Sequence, residues 1–155
     1  MSRADNELLL TVFSSVFESF AFMFVDADVE MEEIDGPGPC LWSEIGFQSK
    51  DRQGELEVIA PTALCEELAE NILGADEEEE PLPDDAGANA LNEVLNVSCG
   101  YLLAEKFGTE EVFDLSIPQA RPLPEKDAAA RIDGQQYSVF LVDETPILVR
   151  FSYRE

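Results

Sequence analysis

Between Asp85 and Phe107 the apolar residues recur at helical spacing, and beyond Gly108 they alternate. A chain that changes period in this way has to pack helices on a sheet. At about 100° per residue, Leu91, Leu95, Ser98 and Leu102 fall on one side of the helical stretch, with Val94 and Tyr101 at its margin. Gly108 supplies the stop. After it, Val112–Pro118, Ala130–Asp133, Tyr137–Val142 and Ile147–Tyr153 read as strands, the last two flanking a turn at Asp143-Glu-Thr-Pro146.

The N-terminal part has the same order. A first helix is expected from about Asp5 to Phe24, with Val12, Phe13, Val16, Phe17, Phe20, Met23 and Phe24 as its core stripe. The Gly-Pro steps of Asp35–Pro39 cannot continue a helix. Leu41–Phe47 and Leu56–Ile59 then make an antiparallel hairpin around Asp51-Arg-Gln-Gly54. Thr62 caps a further helix that runs to about Leu73. The charge run at 75–85, bracketed by prolines, reads as a linker between the two halves. The expected class is α+β, with long amphipathic helices packed on antiparallel β-sheet in a single domain over 1–155. Each half begins with a long helix and continues into hairpins, which points to an internal pseudo-duplication.

Composition removes most chemistries. The chain has 34 acids against 9 bases and no histidine, for a formal charge of -25. Such a surface opposes nucleic acid and anionic membranes and favours a partner with a basic face. Without histidine there is no Cys/His or Ser/His nucleophile and no histidine-bound zinc. Cys40, Cys65 and Cys99 are odd in number and irregularly spaced, so neither a disulfide framework nor a CxxC pair is expected. Neither a signal peptide nor a membrane-length apolar run is visible, and a cytoplasmic location is expected by default.

The helix at 85–107 is left as the segment with a chemistry. Glu93, Asn96 and Gly100 share the side away from the core stripe. Asparagine is a poor former of exposed helix interior, and Asn89, Asn92 and Asn96 together cost about 1–2 kcal/mol against alanine or glutamate. A mid-helix glycine costs about 1 kcal/mol more and usually marks a close approach, either within the fold or from outside it. The bland alternative is a solvated polar face.

Asn89-x-x-x-Glu93-x-x-Asn96, the glycine four residues on, and Pro118 after a strand resemble the CheC/CheX/FliY family of chemotaxis phosphatases. Asn89 stands where that family has Asp or Ser, and the proline is displaced by about one position. CheC-type members carry two such helices and CheX-type members one. The expected counterpart on the first helix, Glu18-Ser-Phe-Ala21, has the acid but no amide, which makes the chain resemble CheX, whose members form homodimers.

The resemblance implies that Asn96 orients a water for hydrolysis of the aspartyl phosphate on a CheY-like receiver, while Glu93 anchors the receiver through a lysine. It implies no cofactor of this chain's own, with Mg²⁺ held by the receiver, and CheD as a candidate regulator. Asn89, Asn92 and Gly100 are the expected partner-binding positions. Competing readings are a binding module that docks without hydrolysing, and a small acidic secretion chaperone, which would need an apolar groove for its client.

Overall fold

The computed structural model describes residues 3–27, 39–73, 83–124, 126–127, 130 and 137–155. Alternation in the sequence becomes two faces of one sheet. In β2 (Cys40–Gln48), Leu41, Ser43, Ile45 and Phe47 are buried, and in β3 (Gln53–Pro61) their cross-strand partners are Ala60, Val58, Leu56 and Gly54. That face receives the helices α1 (Arg3–Ala21), α2 (Thr62–Leu73) and α3 (Ala86–Phe107). Between and after them run β1 (Val25–Asp26), β4 (Asp114–Leu115), β5 (Gln119–Leu123), β6 (Ser138–Val142) and β7 (Thr145–Arg154).

All pairings are antiparallel, in the order β1-β6-β7-β3-β2, with β4 and β5 both on the outer side of β2. This order shows the duplication. Exchanging β2 with β6, β3 with β7, and β1 with β4 leaves every pairing unchanged except that of β5 with β2, and Val58 pairs with Val149 at the exchange centre. The shift that carries Leu9 onto Leu95 also carries Val12, Phe13, Val16 and Phe17 onto Ser98, Cys99, Leu102 and Leu103, and every one is buried. Two matching hydrogen bonds fix the register. Ser43 Oγ donates to Asn92 Oδ1 at 2.7 Å, and Ser138 Oγ donates to Asn6 Oδ1.

That register relocates the counterpart of the α3 motif. Glu93 and Asn96 correspond to Glu7 and Leu10, near the start of α1, and not to Glu18 and Ala21. The earlier conclusion survives: α1 offers an acid without an amide.

Several expectations are corrected. α1 ends at Ala21, and of its expected core stripe Phe20 and Phe24 are 40% and 69% exposed. β1 and β5 were not foreseen, and the 112–118 run contributes only the two residues of β4. The turn at 143–146 is tighter than expected, because Val142 pairs directly with Thr145. The linker at 75–85, the 35–39 turn and the 130–133 run lie largely outside the described residues.

The second face of the sheet is not simply wet. Glu57, 1% exposed, accepts from Trp42 Nε1 at 3.0 Å and from Arg150 Nη1 at 2.9 Å. Its charge is thus compensated by a cation and a hydrogen-bond donor, as a buried carboxylate requires. A recess of about 730 Å³ opens near the β2–β3 turn, lined by residues of β2, β3, β4 and β7 and by none of α3.

Candidate functional site

α3 is braced along its whole length, which matters for whatever its free side does. Leu91, Leu95 and Leu102 are at most 1% exposed against the sheet and the other helices. Near its start Gly87 lies against α2, where an added Cβ would come within 3.3 Å of the Cys65 backbone. One turn on, the Asn92–Ser43 bond ties it to β2. At its end Lys106 pairs with Asp5 of α1, and Phe107 joins Phe113 and Tyr153 with the Arg52 guanidinium 4.4 Å from its ring centre. Arg52 in turn pairs with Glu111, whose carboxyl is held below its ordinary value by that hydrogen bond. A helix tied at both ends and in the middle holds the backbone positions of its outer residues in one arrangement.

Those outer side chains are Asn89, Glu93, Asn96 and Gly100, all exposed. Asn92 is different. It is only half-exposed and its amide oxygen is engaged by Ser43, so the structure gives it a bracing bond where the sequence suggested a partner contact. Tyr101, expected at the margin of the core, is 55% exposed and widens the outer face with an aromatic ring. Its wheel position beyond Val94 was the available signal. Ser98 is fully buried with no partner for its hydroxyl, on the inner side where helical spacing puts it.

Gly100 decides between two explanations of a mid-helix glycine. Among the described residues an added Cβ would meet nothing within 4 Å, so none of them approaches it. No described residue supplies the close approach that would repay its cost. Gly100→Ala is therefore expected to raise unfolding stability by about 1 kcal/mol, read from denaturant midpoints. A loss of stability would mean that α3 packs differently there.

The other nucleophile candidates are closed. Burial pushes the Cys65 and Cys99 thiols up to about 12, so neither is a thiolate at neutral pH, and Cys40 is buried too. Among the described residues no group of three His, Cys, Asp or Glu side chains converges to hold a metal, and no helix is long and apolar enough to cross a membrane. What remains is an uncharged amide and a carboxylate on a convex, firmly held helix face.

The architecture has close counterparts among solved structures. CheX from Desulfovibrio desulfuricans superposes with a TM-score of 0.66 at 12% identity, over 97% of this chain and 99% of that one. CheX from Vibrio vulnificus gives 0.67 at 14% identity, over 99% of each. The CheX-CheY-BeF3-Mg²⁺ complex from Borrelia burgdorferi gives 0.62 at 17% identity, over 96% of this chain and 97% of that one.

The fold is that of the CheC/CheX/FliY proteins.

No family model and no curated protein matches the sequence. The likeness to CheX is therefore one of backbone architecture, carried at low identity by helices packed on one face of an antiparallel sheet. The exposed α3 face is this chain's own feature within the CheX fold, and its chemistry has to be argued from its own residues.

Proposed function

We propose that the chain acts as a CheX-like phosphatase on a phosphorylated CheY-type receiver, with α3 as the docking helix. The observation that carries this reading is the face made by Glu93, Asn96 and Gly100. It is exposed, it lies on a braced helix, and at Gly100 none of the described residues approaches it. Such a face is built to be covered by another molecule. The complex of a CheX with CheY, BeF3 and Mg²⁺ supports the choice of partner, since beryllofluoride on a carboxylate mimics an acyl phosphate.

The chemistry asked of α3 is small. An aspartyl phosphate is an acyl phosphate, a mixed anhydride whose hydrolysis needs a water held in line with phosphorus. The water oxygen bonds to phosphorus, the bond to the aspartyl oxygen breaks, and the carboxylate leaves with its electron pair. The receiver's own Mg²⁺ supplies charge neutralisation of the phosphoryl oxygens. Asn96 can accept a hydrogen bond from the water and donate one to a phosphoryl oxygen, and being neutral it is not repelled by the anion. Glu93, one turn earlier, is placed to pair with a cation at the rim of the receiver's site. Gly100, one turn later, lets the receiver backbone approach the helix.

The acidity of the chain fits a steering role, because long-range attraction raises the rate of encounter with a basic face. Glu93→Ala is accordingly expected to weaken the docking of a beryllofluoride-loaded receiver about tenfold at low salt, with less effect at high salt. Binding of equal strength in the two proteins at low salt would remove Glu93 from the interface. Faster loss of phosphate from the receiver in the presence of the protein tests the hydrolytic part. Docking without it would leave a binding module, a reading to which Asn89, in place of the family's Asp or Ser, gives some weight.

A further inference from the structure

A second surface stands out at the far end of α1. Phe22 and Phe24 are 77% and 69% exposed, and Phe20, one turn before Phe24, is 40% exposed. Isolated apolar side chains on a surface need no explanation, but three exposed phenylalanines within five residues of one helix end are a local concentration. The backbone beneath them is strained. Among the described residues, the non-glycine positions with positive φ are Phe22 at 56°, Asp143 at 45° and Glu144 at 73°. All three meet at this corner. Phe24 N–H donates to Asp143 Oδ1 at 3.0 Å, and Asp143 N–H donates to Phe24 O at 2.9 Å.

The duplication shows that the strain at Phe22 is not forced by the fold. The shift that carries Leu9 onto Leu95 carries Phe22 onto Gly108, and each N–H donates four residues back, Phe22 to Glu18 O at 3.2 Å and Gly108 to Ala104 O at 2.9 Å, while α1 adds a bond from Met23 N–H to Phe17 O at 3.2 Å. Gly108 sits at φ 86° and ψ 170°, a positive-φ conformation that glycine adopts freely. The same shift carries Phe20 onto Lys106. One half closes its helix with glycine, and the other places a large aromatic there at a steric cost and leaves it in water. A side chain that costs backbone energy and gains almost no burial is accounted for by what it touches in a complex.

We infer that Phe20, Phe22 and Phe24 form a docking site for a protein partner that offers an apolar socket rimmed by lysines or arginines. The charge of the occupant follows from the rim. Glu18 lies one turn before Phe22, and Asp143 and Glu144 make the adjoining turn. A second copy of the chain would bring the same carboxylates against them in a two-fold contact, with a net charge of -25 on each side. The aromatic anchors supply the apolar contact area and the acidic rim supplies orientation. This surface is independent of the α3 face, so failure of either reading leaves the other standing.

The test uses the full chain and an amphipathic helical peptide of leucine and lysine as the probe, followed by backbone amide shifts. Binding is expected to perturb residues 20–26 and 143–144, and Phe22→Gly is expected to weaken it about tenfold. The same substitution should raise the thermal midpoint by about 2–4 °C, because glycine relieves the left-handed strain. Phe24→Ser, whose side chain makes no described hydrogen bond, should weaken binding without raising the midpoint. A peptide with glutamate in place of lysine should not bind. Equal affinity in wild type and Phe22→Gly would overturn the inference, as would shifts spread over the whole acidic surface. A fall in the thermal midpoint of Phe22→Gly would also overturn it, making the ring a structural element. So would wild-type self-association that Phe22→Gly abolishes, which would make a second copy the occupant.

Discussion

Asn96→Ala is expected to slow receiver dephosphorylation about 10²-fold while leaving the affinity for the receiver nearly unchanged. The split follows from when the amide is used. A group that holds the attacking water contributes in the transition state and little to docking, so its loss appears in turnover and not in the concentration that half-saturates the rate. Truncation also leaves the helix intact, since alanine is the better former at an exposed helical position. The variant should therefore fold at least as well as the wild type. A parallel loss of binding would instead make Asn96 a docking contact, and the water-orienting role would fall.

The largest effect on stability is expected at Gly54. This residue lies in β3 opposite Phe47 on one side and Tyr153 on the other. An added Cβ would sit 2.2 Å from Ser152 O, 2.6 Å from Phe47 Cζ and 2.8 Å from Tyr153 Cα. Two of these three atoms are backbone of the neighbouring strand, so the clash is not relieved by turning a side chain. Gly54→Ala should cost about 3 kcal/mol, the upper end for overpacking, measured as a fall in the denaturant midpoint at unchanged slope. A loss below about 1 kcal/mol would mean that β3 and β7 separate readily there. The contrast with Gly100 is informative: Gly54 is required by close packing inside the chain, and Gly100 by nothing among the described residues.

How far these features could be read in advance depended on whether the deciding interaction was local. The start of α2 and the end of α3 were legible because Thr62 and Gly108 carry start and stop signals in the sequence itself. The end of α1 was not. Aromatic spacing runs on to Phe24, while the helix stops at Ala21 by a left-handed turn at Phe22, a residue that gives no such signal. β5 was hidden for a related reason: Gln119-Ala-Arg-Pro-Leu123 is mostly exposed and includes a proline, and an outer strand tolerates both. The exposure of Glu93, Asn96 and Gly100 followed from helical period alone.

The inward bond of Asn92 did not follow from period. It lies at the edge of the exposed arc, and its partner Ser43 is on β2 in the other half of the chain. The counterpart of the motif on α1 was misplaced in the same way. Only the paired Asn–Ser bonds, which join each helix to a strand of the opposite half, fix Glu7 and Leu10 as the equivalents of Glu93 and Asn96. A sequence reading had helix length and an acid to work with, and Glu18 satisfied both.

The central claim is that α3 lends an amide to a phosphoryl group carried by another protein. Its most direct test is the decay of acyl phosphate on a CheY-type receiver with Mg²⁺, followed at rising concentrations of wild type and Asn96→Ala. The account predicts a saturable acceleration by the wild type, and for the variant the same half-saturating concentration with a plateau about 10²-fold lower. Decay in the presence of saturating wild type that is no faster than that of the receiver alone would contradict it.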